Sequence, residues 1–179
     1  MITSGADGGA EWLPVGTGMA AAAVGFILWM LVAASTGDHW VPILDSANLA
    51  FHEAGHPLVG LVSDRLAVYG GTMGQLVFPV AAAWQFLRRR HTLGFALCAA
   101  WGCESLLNIA TYMADARAMR LPLVGGLDPE FAHDWREIFS RWGMLQLDTT
   151  WATVNRALAW AGGLAICSWL LLRWRAGQA

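Results

Sequence analysis

From Thr17 to Ser35 the sequence (TGMAAAAVGFILWMLVAAS) carries no charged residue. A helix over that stretch rises about 1.5 Å per residue and so reaches across a hydrocarbon core of about 30 Å. Four further apolar segments follow, at about 40–62, 71–87, 92–119 and 157–172, the second and fourth interrupted by polar residues. Composition points the same way. The chain is 56% apolar and 13% charged, where a soluble domain carries about 25% charge. Eleven tryptophans suit a protein that meets two membrane interfaces. Arginine supplies all 11 positive charges and the net charge is -2, which excludes a basic nucleic-acid binder. The expected fold class is all-α: a polytopic integral membrane bundle of about five transmembrane helices, one domain over residues 1–179, with membrane lipid around it and no nucleic-acid partner. Cys98, Cys103 and Cys167 all lie in apolar stretches, as core residues rather than a disulfide framework.

Asp7 and Glu11 precede the first span without any arginine, so the span reads as uncleaved rather than as a secretory signal. Arg88, Arg89 and Arg90 follow the third segment, and Arg173 and Arg175 follow the fifth. With five crossings both clusters fall on one side, which the positive-inside rule makes cytoplasmic. The expected placement is then an integral protein of a membrane such as the bacterial inner membrane, N-terminus outside and C-terminus cytoplasmic, with the second and fourth spans parallel. Residues 120–150 form the outer loop. Within it Asp128-Pro129-Glu130 has the chemistry of a helix start. Phe131, Trp135, Ile138, Phe139 and Trp142 then recur on one face, predicting an amphipathic helix at the membrane interface. Asp148 is placed to cap the fifth span, and Gly162-Gly163 to bring helices close.

The second segment holds Phe51-His52-Glu53-Ala54-Gly55-His56-Pro57, an HExxH pattern. Four residues apart on a helix, His52 and His56 project from one face and can reach one Zn²⁺. Glu53 beside them is the candidate catalytic residue, a general base toward a water that the metal polarises. Ionisable groups at membrane depth are costly and mark function. Pro57 removes a backbone donor to the Glu53 carbonyl and predicts a kink. A third ligand must come from elsewhere. Glu104, Asn108, Thr111 and Asp115 form one polar stripe on the fourth segment; Asp115 is the first choice, Glu104 its rival, and His133-Asp134 in the outer loop could reach the site from above or cap it. Asn108 is placed to orient water or substrate.

These residues resemble the site-2 protease family of intramembrane zinc metalloproteases. His52-Glu53-Ala54-Gly55-His56 matches its HExxH helix. Gly70-Gly71-Thr72-Met73-Gly74-Gln75 resembles the Gly-Pro-x-x-Asn start of its next core helix, with Gln75 at the asparagine position. Asn108 to Asp115 resembles its Asn-x-x-Pro…Asp-Gly motif, with Thr111 in place of proline and Ala116 in place of glycine. The similarity spans residues 48–118. It implies a three-helix catalytic core over about residues 40–119, flanked by spans at 17–35 and 157–172. It also implies zinc on His52, His56 and Asp115, support of substrate or transition state by Asn108, Gln75 and Glu104, and hydrolysis of peptide bonds in or near the membrane. The alternative function is a metal-binding membrane scaffold or sensor without peptidase activity.

Overall fold

The computed structural model describes residues 11–124 and 128–178; Asp7 and the side chain of Phe131 lie outside what it describes. Among the described residues there is no strand. Helices α1 (Thr17–Ser35), α2 (Leu44–Gly60), α3 (Ala67–Arg88), α4 (Thr92–Ala114), α5 (Pro129–Ala132), α6 (Asp134–Arg141) and α7 (Asp148–Ala176) follow one another along the chain. Four helical segments, those containing α1, α3, α4 and α7, are long and apolar enough to cross a membrane. Their outward faces carry Phe26, Trp29, Val77, Val80, Leu158 and Leu172, all exposed, an apolar surface that suits lipid rather than water.

Helix α4 is the central strut. Ala100, Cys103 and Leu107 pack in one buried cluster with Ile27, Met30 and Leu31 of α1 and Ala159 and Cys167 of α7. The Gly-Gly pair of α7 permits this approach: a Cβ at Gly163 would lie 2.5 Å from Leu31 Cδ1, and one at Gly162 2.9 Å from Cys103 Sγ. The three cysteines are free.

The ends of the bundle are fixed by contacts around Trp12. Its ring packs on Phe95 of α4 and Trp169 of α7, beneath the guanidinium groups of Arg90 and Arg173. Leu13 N–H donates to the Arg90 carbonyl at 2.9 Å, and Trp174 Nε1 donates to Thr17 Oγ1. The start of α1, the α3–α4 turn and the end of α7 therefore share one end of the bundle. Helix α1 leaves that end and α3 returns to it, so the intervening residues, α2 included, begin and finish at the opposite end. This departs from the sequence reading in two ways. The start of the first long helix and the end of the last lie together, where five crossings would separate them, and α2 is not among the segments long and apolar enough to cross. Its 17 residues reach only about 25 Å, and their polar content goes into bonds with its neighbours.

Asp45 pairs with Asn108, and Asn48 with Glu104, Trp101 and Ser105, which ties the first turns of α2 to α4; from Phe51 to His56 the helix runs antiparallel to α3, and so in the sense of α4. Its C-terminal half then crosses onto α3. Gly55 and Gly70 meet backbone to backbone, where a Cβ on either would come within 2.3 Å of the other's carbonyl oxygen. Phe51 stacks on Phe78 at 3.7 Å. The glycine pair of α3 thus lies inside the helix rather than ahead of it. Pro57 sits in the last turn of α2, and the helix continues through it to Gly60 without a donor to the Glu53 carbonyl.

In the loop, Asp128 Oδ1 accepts from Glu130 N–H at 3.0 Å, as a capping residue does. The expected continuous amphipathic helix breaks at His133, whose Nδ1 accepts from Arg136 N–H and starts α6 afresh. Ile138 and Phe139 are 1% exposed, and Phe139 packs with Ile109, Ala110 and Met113 of α4 and Ala152 of α7. The apolar face of α6 is turned into the protein, which already fills the place expected for lipid. Asp148, at the start of α7, accepts from Thr149 N–H and pairs with Arg117.

Candidate metal centre

The HExxH histidines lie one turn apart on α2, with ring centroids 4.9 Å apart. Each ring is held through Nδ1. His56 Nδ1 lies 2.9 Å from the Ala67 carbonyl, which can only accept, and His52 Nδ1 lies 3.1 Å from Gln75 Oε1. Both Nδ1 atoms therefore carry the proton, and in the neutral rings both Nε2 atoms present lone pairs.

Those lone pairs meet a carboxylate. Asp134 Oδ2 lies 2.9 Å from His52 Nε2 and 3.2 Å from His56 Nε2, and the three residues together can hold a metal ion. Three acceptors at such spacing need a shared cation or an added proton between them. Ligands at 2.0–2.1 Å around a tetrahedral ion stand about 3.3 Å apart, close to the separations seen here. Both histidines donating the opposite ring nitrogen to an oxygen is the usual support of a ligating imidazole. The donor set, two neutral imidazoles and one carboxylate, fits Zn²⁺ with a position left open.

Asp134 is delivered by α6. Its N–H donates to Tyr112 Oη at 3.0 Å, the neighbouring His133 ring lies 4.3 Å from that of Tyr112, and Ile138 and Phe139 anchor the helix below. Where a proton rather than a cation fills the space between the carboxylate and the two imidazoles, burial pushes the Asp134 carboxyl up, but hydrogen bonds from His52 and His56 outweigh it and hold the carboxyl below its usual range. Burial lowers His133, against an opposing pull from Asp115.

The expected third ligand, Asp115, is engaged elsewhere. It caps α4, and its two carboxylate oxygens accept from Arg120 and Leu121 N–H at 2.9–3.0 Å, which fixes it within its own turn. His133 Nε2 stands 3.5 Å from it and is not with the two imidazoles. Glu104 is fully buried, bonded to Asn48 at 2.8 Å, and is also outside the three-residue group. Gln75 and Asn108 are bonded to each other and onward to His52 and Asp45, and both line the neighbouring cavity.

Gly71 explains how α3 passes so near the rings. A Cβ there would lie 2.5 Å from His52 Cε1 and Nε2 and 2.7 Å from His56 Nε2. On the other side opens a cavity of about 290 Å3, lined by His52, Glu53, Asn108, Thr111, Tyr112 and the 121–124 segment among others. Glu53 is exposed to it. Tyr112 Oη accepts from Asp134 and so keeps its own proton to donate. The three-residue group thus has a carboxylate and a hydroxyl donor on the neighbouring cavity.

Comparison with protein-family models, with curated proteins and with solved structures finds no match to this chain.

Proposed function

We propose that this protein is a membrane-embedded zinc metallopeptidase that hydrolyses peptide bonds in or near the bilayer, by chemistry like that of the site-2 protease family. The observation that carries the reading is the convergence of His52 Nε2 and His56 Nε2 on Asp134 Oδ2, at 2.9 and 3.2 Å, all three within 4.8 Å of one another, beside a cavity onto which Glu53 opens. Zinc, when bound, supplies a Lewis acid that polarises water and the scissile carbonyl. Glu53 accepts the proton of the attacking water and returns it to the leaving amine. Tyr112 donates its hydroxyl proton toward the carbonyl oxygen. A helical substrate has its carbonyls tied up in its own hydrogen bonds, so a transmembrane substrate enters the cavity locally unwound.

The membrane arrangement that goes with this reading has four crossings, α1, α3, α4 and α7, with α2 and the metal centre set toward the end opposite Arg88–Arg90 and Arg173. The Arg88–Arg90 turn and the Arg173–Arg175 flank lie on the cytoplasmic side; at the other end Arg117 and Arg141 are taken up by Asp148 and Glu137. Reporter fusions at the two ends of the chain are therefore expected to give the same, cytoplasmic, signal. Opposite signals would contradict four crossings.

The activity is tested on purified protein in detergent with a quenched-fluorescence peptide library. Chelation is expected to abolish cleavage and stoichiometric zinc to restore it. A protein that binds zinc and cleaves nothing would instead be a non-proteolytic metal-binding membrane protein.

A further inference from the structure

A chain of side chains leads away from His52 into the buried junction of three helices. His52 Nδ1 lies 3.1 Å from Gln75 Oε1. Gln75 Nε2 donates to Asn108 Oδ1 at 3.1 Å, and Asn108 Nδ2 donates to Asp45 Oδ1 at 2.7 Å. Asp45 is 1% and Gln75 3% exposed. The other Asp45 oxygen accepts from Val41 N–H. Each amide in this chain has an oxygen end and a nitrogen end, so one orientation dictates the next. Only the two ends are not amides: at one, a carboxylate that accepts; at the other, an imidazole that can protonate either nitrogen.

We infer that Asp45 is a positioning residue for the metal centre, acting through Asn108 and Gln75 to keep the His52 proton on Nδ1 and its Nε2 lone pair on the metal. The inference rests on the zinc reading above. As an acceptor, Asp45 forces the amide nitrogen of Asn108 toward itself. That turns the Asn108 oxygen to Gln75, and the Gln75 oxygen to His52. Reversing the chain would place the Gln75 amide nitrogen against His52 Nδ1, move the imidazole proton to Nε2 and remove a ligand. Carboxylates set the tautomer of metal-bound histidines in this way at one remove; here two amides carry the effect from α2 through α4 and α3 back to α2.

Asp45→Asn tests it. The new amide best serves Val41 N–H with its oxygen, which leaves its nitrogen facing Asn108 and reverses the chain. Zinc affinity, read by competition with a chromophoric chelator using zinc alone, is expected to fall about 10–100-fold. Adding Gln75→Glu supplies a new acceptor next to His52 and suits the reversed amides. The double variant Asp45→Asn/Gln75→Glu is expected to regain at least about tenfold of that loss, a rescue that a merely structural role for Asp45 would not produce. Should Asp45→Asn not fold, Gln75→Leu keeps the Asp45 bonds to Val41 and Asn108 and is expected to show the same loss. Wild-type affinity in Asp45→Asn or Gln75→Leu, or a double variant no tighter than the single, overturns the inference while the zinc site stands. A wild-type protein that binds no zinc overturns both.

Discussion

Glu53→Gln is expected to keep the metal and lose the reaction. The substitution preserves the size and hydrogen bonding of a side chain that makes no ligand bond, so bound zinc per chain stays at the wild-type level. The amide cannot accept a proton, and general-base catalysis contributes about 10²–10⁴-fold; cleavage of the peptide library should fall by at least that range. Zinc analysis and initial rates on the same preparation separate the two effects. Loss of zinc together with activity would mean that Glu53 has a structural or ligating role, and full activity would remove it from the mechanism.

Gly71→Ala carries the second large effect, from a residue with no functional atom. Its added methyl would stand 2.5 Å from the His52 ring and 2.7 Å from His56 Nε2, distances that non-bonded atoms do not tolerate. Either both rings swing away from Asp134 or α3 moves out, and each breaks the convergence on which binding depends. Zinc affinity is expected to drop at least about 100-fold, more than loss of one hydrogen bond behind a ligand would cause. Gly102→Ala is the matched control on α4: its Cβ meets only Pro79 Cβ, at 4.0 Å, so both affinity and thermal midpoint should stay near wild type. Unchanged zinc binding in Gly71→Ala would mean that the metal lies elsewhere.

The histidines and Glu53 are legible in the sequence because their spacing lies within one helix, where geometry follows from residue number. The carboxylate that the fold brings to them is less so, because Asp134 lies 82 positions from His52 in the sequence, on another helix. Asp134 looks in sequence like an acidic residue in the first turn of a surface helix, and it is one. What turns it to the site is the break at His133 and the burial of Ile138 and Phe139, both set by packing rather than by local pattern. Asp115 shows the converse: its register on the polar stripe of α4 is right, but it falls one residue past the helix end, where backbone N–H groups claim it. Glu104 and Asn108 of the same stripe do face α2, yet meet Asp45 and Asn48 instead of the metal.

The segment at 40–62 shows the same dependence on packing. Apolar residues around 40–62 made that segment look like a span, although Asp45, Asn48, His52 and Glu53 stand within it. Asp45, Asn48 and His52 are satisfied by α3, α4 and α6, and Glu53 opens on the cavity, as polar groups at membrane depth require protein or a water-filled cavity around them. Arginine placement with five crossings puts the two ends of the chain on opposite sides, whereas the packing of Trp12 under Arg90 and Arg173 brings the start of α1 and the end of α7 together.

The most direct test of the account is the zinc content of three purified proteins after dialysis against trace metal: wild type, Asp134→Ala and Asp115→Ala. The account predicts one zinc per chain in the wild type, little or none in Asp134→Ala, and a retained ion in Asp115→Ala with a thermal midpoint lowered by the loss of about 1–3 kcal/mol of capping. Zinc retained in Asp134→Ala and lost from Asp115→Ala would contradict it.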